Sequence, residues 1–159
     1  MPIPLTVTTP SDLEVEITRV FEAPRRMVFD AFTKPELVKR WLLGPPGWSM
    51  PVCEIDLKVG GKFRYEWRNQ DGRSMGMGGI FRELAAPGRI VHTELFDEDW
   101  TGGETKVTTI FTEKAGKTTV AMTVLYASRE ARDGAMGTGM TRGMEDSYAR
   151  LDEMFAAKT

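Results

Sequence analysis

The sequence is poor in the residues that metal-dependent and nucleophilic enzymes rely on. Its 159 residues include one histidine, His92, and one cysteine, Cys53. A single histidine excludes a two-histidine metal site within one chain, and a single cysteine excludes a disulfide framework or a CxxC motif. Carboxylates spaced like a calcium loop are missing as well. A serine or cysteine triad would have no base except His92. No metal and no cofactor is therefore expected, and any activity should survive chelation. Charge of one sign is also lacking: 21 basic and 23 acidic residues leave a net charge of -2, spread without blocks. That leaves no electrostatic footprint for nucleic acid and no polybasic segment for a membrane surface. No stretch approaches the ~20 apolar residues of a spanning helix. The opening MPIPLTVTTP has neither the basic region nor the apolar run of a secretory signal. A cytoplasmic protein is the expectation.

Other residues are plentiful. The chain carries 10 Met, 4 Trp and 16 Gly within an otherwise ordinary globular composition, 41% hydrophobic and 28% charged. Large, adaptable apolar side chains in this number suit a protein that holds an apolar object. The length fits one domain, residues 11–159, behind an extended or flexible segment 1–10.

Apolar and polar residues alternate over Leu13–Ile17, the mark of a half-buried strand. The alternation slips near Val20 and Phe21, where a bulge would fit. Pro24 then opens a helix with Met27, Val28, Ala31 and Phe32 at helical spacing, and a second short helix runs from Pro35 to about Leu42. Gly44-Pro-Pro-Gly47 ends it. From Pro51 to Tyr126 the pattern is strands and short turns, which join neighbours antiparallel. Ser128 is placed to cap a long helix reaching Ala156, with Met136, Met140, Met144, Tyr148, Leu151 and Phe155 in one apolar stripe. The predicted architecture is α+β: six or seven antiparallel strands, two short helices after the first, and a long C-terminal helix.

Several constellations can carry function, each with a plainer alternative. Gly134, Gly137, Gly139 and Gly143 crowd the first half of the long helix, where each costs about 1 kcal/mol against alanine. Close packing or a ligand beside the helix would both account for them. Phe63, Tyr65 and Trp67 share one strand face, with Met75 and Met77 on the paired strand among glycines. These residues either fill a core or wall a cavity, with Trp41, Trp48 and Met50 as a rim. His92 and Glu94 also share a face; they could transfer a proton if they met a cavity, or simply be solvated. Arg19 falls in phase with Leu13, Val15 and Ile17. If it points inward it needs a carboxylate, with Glu54 or Asp56 as candidates; the bulge would turn it outward. Cys53 reads as a small hydrophobe, and Asp97-Glu98-Asp99 as a solvated turn.

The chain resembles the bacterial proteins related to the activator of heat-shock protein 90 ATPase, within the START/SRPBCC superfamily. The resemblance is carried by Arg19-Val-Phe-Glu-Ala-Pro24, Pro35-Glu-Leu-Val-Lys-Arg-Trp41, Gly44-Pro-Pro-Gly47, Cys53-Glu-Ile-Asp-Leu57 with Gly60-Gly61, and Arg64-Tyr65. Pro87-Gly-Arg-Ile-Val91, Gly139-Met140 and Gly143-Met-Glu-Asp-Ser-Tyr-Ala-Arg-Leu151 complete it, over residues 11 to 157. It implies a helix-grip fold with an apolar cavity between sheet and helix, and no catalytic residue is carried over with it. The cavity lining is expected to be Trp41, Phe63, Tyr65, Trp67, Met75, Met77, His92, Glu94, Met136, Met140 and Met144. The partner expected is a small apolar molecule, while a homodimer and a protein partner stay open. Two further functions remain in view: an enzyme of cyclase or hydrolase-like type, and a stress-related, cochaperone-like interaction module.

Overall fold

The computed structural model describes residues 5–98, 103–138 and 140–157. Eight strands form one antiparallel sheet in the order β1-β2-β8-β7-β6-β5-β4-β3. They are β1 (Thr6–Thr8), β2 (Glu14–Phe21), β3 (Trp48–Ile55), β4 (Lys62–Asn69), β5 (Ser74–Ala85), β6 (Arg89–Phe96), β7 (Thr105–Lys114) and β8 (Lys117–Leu125). Seven of them follow the alternation in the sequence. The eighth, β1, is too short for any period to show, and it pairs Thr6–Thr8 against Glu16–Thr18.

The slip near Val20 is not a bulge. The β2–β8 register runs unbroken from Glu14 opposite Leu125 to Phe21 opposite Thr118. Val15, Ile17, Arg19 and Phe21 all face the core in consequence. The true irregularities lie elsewhere, between Ser49 and Val52 on β3 and between Phe81 and Glu83 on β5. The first falls at Pro51 on an edge strand, where a missing N–H is tolerated and the edge is blunted against pairing with another chain.

Helices α1 (Arg25–Thr33) and α2 (Pro35–Trp41) carry the chain between β2 and β3. Pro35 occupies the first turn of α2, Glu36 follows it, and Lys39 and Arg40 end the helix, in keeping with its dipole. The Trp41 indole N–H donates to the Ala31 carbonyl at 2.8 Å, fixing α2 to α1.

The C-terminal segment is two helices, α3 (Arg129–Met136) and α4 (Met140–Ala157), where the sequence suggests one. Ser128 caps α3, its hydroxyl accepting from the Ala131 N–H at 3.0 Å. Gly137 closes α3, whereas Gly143 lies within α4 against Gly44 and Pro45. Gly139 lies outside the described residues. Apolar steps of three and four survive a break between two helices, so the stripe alone could not reveal it. In α4, Tyr148, Leu151 and Phe155 are buried, and Phe21 of β2 meets Tyr148 and Phe155 edge-on at 5.2 and 5.9 Å. That cluster holds the helix to the sheet.

Candidate functional site

Between the concave face of the sheet and the helices lies a cavity of about 270 Å³. Its volume lies just below the roughly 300–1,000 Å³ of small-molecule sites. Trp41 supplies one wall from α2, while Phe63, Tyr65 and Trp67 supply another from β4. Met77, His92 and Glu94 face the cavity from β5 and β6, and Met144 from α4. The structure thus brings together eight of the eleven residues named from the sequence.

The other three part company. Met75 shares a face with Met77 but sits further along β5, half-exposed, in an outer groove of about 710 Å³ with Trp48 and Pro45. Met136 is exposed on α3, because the break at Gly137 takes it out of phase with α4. Met140 begins α4, but its side chain lies outside what is described. The outer groove shares Leu42, Trp67, Phe96, Met144 and Ser147 with the cavity, so the two adjoin. Trp48 belongs to this mouth as expected, whereas Met50 is buried in the core.

Sequence reasoning missed the rest of the lining, chiefly Phe32, Phe81, Thr105, Thr109, Tyr126 and Tyr148. A signal was available for the threonines. Thr105, Val107, Thr109 and Phe111 alternate along β7, and all four are buried. A threonine in an inward phase leaves less side chain than a leucine would, and so leaves space.

Polar groups inside are few. His92 Nε2 and Glu94 Oε2 are 2.9 Å apart, with side chains 16% and 25% exposed. Phe63 and Phe81 meet the imidazole edge-on, at 5.3 and 6.2 Å between centroids. His92 Nδ1 is buried without a hydrogen-bond partner among the described residues. The Trp67 indole N–H donates to the Leu42 carbonyl at 2.8 Å, so, as at Trp41, the ring's polar edge is satisfied by backbone.

All three tyrosines of the protein line this cavity. Burial raises each phenol above its ordinary value, and the nearby Glu94 carboxylate raises it further; Tyr126 is pushed up to about 12. A phenol raised on folding contributes stability that is fully present below its unfolded pKa of about 10 and is lost as pH climbs through the folded value. Spectrophotometric titration is expected to show no phenolate below about pH 11 in the native protein, with ionisation arriving together with unfolding above that. A phenolate step near pH 10 with the fold intact would put a tyrosine in bulk water and refute this.

Two remaining candidates resolve differently from expectation. Arg19 does point inward, but its partner is Asp152 of α4, not Glu54 or Asp56: Nη1 donates to Oδ1 at 2.9 Å and Nη2 to Oδ2 at 2.6 Å. Asp97 is not merely solvated, since Arg64 grips it with two hydrogen bonds of 2.7 and 2.6 Å on the sheet's outer surface. Asp99 lies outside the described residues. Cys53 is half-buried, and burial pushes its thiol up to about 11, which keeps it protonated and unreactive. No described helix is long and apolar enough to cross a membrane.

The family model described as "Activator of Hsp90 ATPase homolog 1-like protein" matches residues 22–156. Among solved structures, a Rhodobacter sphaeroides protein is 37% identical, with a TM-score of 0.92 over 98% of this chain and 99% of that one. A Staphylococcus epidermidis protein is 26% identical, with a TM-score of 0.82 over 97% and 95% of the two chains. A Mycobacterium smegmatis protein is 25% identical, with a TM-score of 0.83 over 95% and 96%. No curated protein matches the chain.

Proposed function

Since the chain belongs to the Activator of Hsp90 ATPase homolog 1-like family, whose START/SRPBCC fold is consistent with ligand binding or with a cochaperone-like module, we infer that it binds a small apolar molecule between sheet and α4. The observation that carries this reading is the cavity itself. It is walled by aromatic and Met side chains and adjoins the groove beside Gly44 and Pro45. A close-packed core leaves few voids larger than a water molecule. A space this large, beside an open groove, serves something that enters.

Val124 tests the reading, because it faces the cavity from β8 and is smaller than the aromatic and Met side chains that share the lining. Wild-type protein is expected to bind a neutral apolar dye. Val124→Trp should weaken that binding at least tenfold, with a nearly unchanged denaturant midpoint, because a void accepts the added ring. Forcing the ring into a packed core would instead cost about 1–3 kcal/mol. A wild-type protein that binds no apolar dye, beside a clearly destabilised variant, would overturn the reading. Native mass spectrometry of the purified protein would identify a molecule that travels with it.

A second reading, catalysis of cyclase or hydrolase-like type on an apolar substrate, draws on one observation. His92 and Glu94 are hydrogen-bonded and face the cavity, where they could move a proton.

A further inference from the structure

The cavity lining contains one carboxylate and, among the described residues, neither lysine nor arginine. We propose that the ligand is an apolar molecule bearing a protonated amine or quaternary ammonium group, which pairs with Glu94 among the surrounding aromatic rings. This deepens, and rests on, the reading of the cavity as a ligand site.

His92 is engaged with one oxygen of Glu94. Glu94 as a carboxylate can only accept, so Nε2 carries the proton of the 2.9 Å bond. Nδ1 is buried with no hydrogen-bond partner among the described residues, so the imidazole's one polar contact is with Glu94 itself. Arg19 is held by Asp152 and Arg64 by Asp97 on the outer surface, while Arg142 lines the outer groove and not the cavity. His92 occupies Oε2 of Glu94, and Oε1 has no hydrogen-bond partner among the described residues.

The rings complete the case. Tyr65 on β4, Tyr126 after β8 and Tyr148 on α4 line the cavity together with Glu94, from three separate elements. Trp41 and Trp67 have given their N–H groups to backbone carbonyls. What they contribute to a ligand is therefore their π systems. Aromatic faces around a desolvated cation attract it through the ring quadrupole, and a carboxylate adds a charge-assisted hydrogen bond. An anionic ligand would meet repulsion, and a neutral one would leave Glu94 without a counter-charge in a low-dielectric site.

Three probes of one shape separate these cases by calorimetric titration: phenylbutylamine, phenylbutanol and phenylbutyrate. The amine is expected to bind roughly tenfold or more tightly than the alcohol, with the carboxylate weakest. Glu94→Gln should bring the amine to the level of the alcohol and leave the alcohol within about twofold of wild type. An amine that binds no better than the alcohol in wild-type protein overturns the proposal, as does an advantage that survives in Glu94→Gln. Should the variant not fold, the order of the three probes on wild-type protein decides alone. Binding of the alcohol without an amine preference sinks this proposal and leaves the cavity reading standing. Failure of all three probes sinks both.

Discussion

Asp152→Ala is expected to lower the unfolding free energy by about 2–3 kcal/mol, measured from the denaturant midpoint. Arg19 is 8% exposed, its guanidinium stacks 4.9 Å from the centre of the Phe21 ring, and Asp152 receives two of its hydrogen bonds. Removing the carboxylate strands a buried charge, an error that costs about 3–5 kcal/mol when burial is complete. Asp152 itself is 38% exposed, so water can follow into its place and reduce the penalty. The intact pair is a different matter, since replacing both ions by apolar groups of similar size is often neutral. The double variant Arg19→Met with Asp152→Leu should therefore regain most of the loss. An Asp152→Ala midpoint equal to wild type would mean that Arg19 is already hydrated.

A larger loss, near 3 kcal/mol or more, is expected for Gly79→Ala. A Cβ at position 79 would fall on the Thr93 carbonyl oxygen and the Phe63 ring. The carbonyl is backbone and cannot swing aside, which places the cost at or beyond the top of the usual 1–3 kcal/mol for overpacking. Here β5 approaches β6 so closely that the Ile80 N–H turns to the Thr93 hydroxyl at 3.0 Å. Glycine lets the strand bend at this point. The matched control is Gly134→Ala on the exposed side of α3, where the new Cβ meets nothing. Its expected effect is a gain of up to about 1 kcal/mol from helix propensity. Equal and small effects at both positions would disprove the close approach at Gly79.

What could be read from the sequence was whatever depends on a short period. The two-residue repeat placed Phe63, Tyr65 and Trp67 on one face and His92 with Glu94 on another, and all five line the cavity. The order of strands and short helices followed from the same repeat and from Gly-Pro punctuation. What could not be read depends on distance along the chain. Arg19 and Asp152 are 133 residues apart, and nothing local to Arg19 marks its partner, so the nearer Glu54 and Asp56 drew attention. Met75 has the phase of Met77 yet lies in the mouth, because the position of a residue along a strand is set by sheet curvature and not by alternation. The break between α3 and α4 lay in plain view in the glycines, while the apolar stripe argued for continuity.

The pairing of β2 with β8 has a consequence for how the chain is made. Apart from the short β1, residues 14–21 find their hydrogen-bonding partner in residues 117–125. At about 5–20 residues per second, β2 would leave the ribosome some 5–20 seconds before that partner exists. During this interval Val15, Ile17 and Phe21, all fully buried in the finished fold, have no β8 to lie beside and no α4 to cover them. Such an apolar edge is a template for association with other chains. Contacts of this sequence separation also slow folding once synthesis ends. Yield in a rapidly expressing cell should therefore depend on translation rate and temperature more steeply than the stability of the folded protein would suggest.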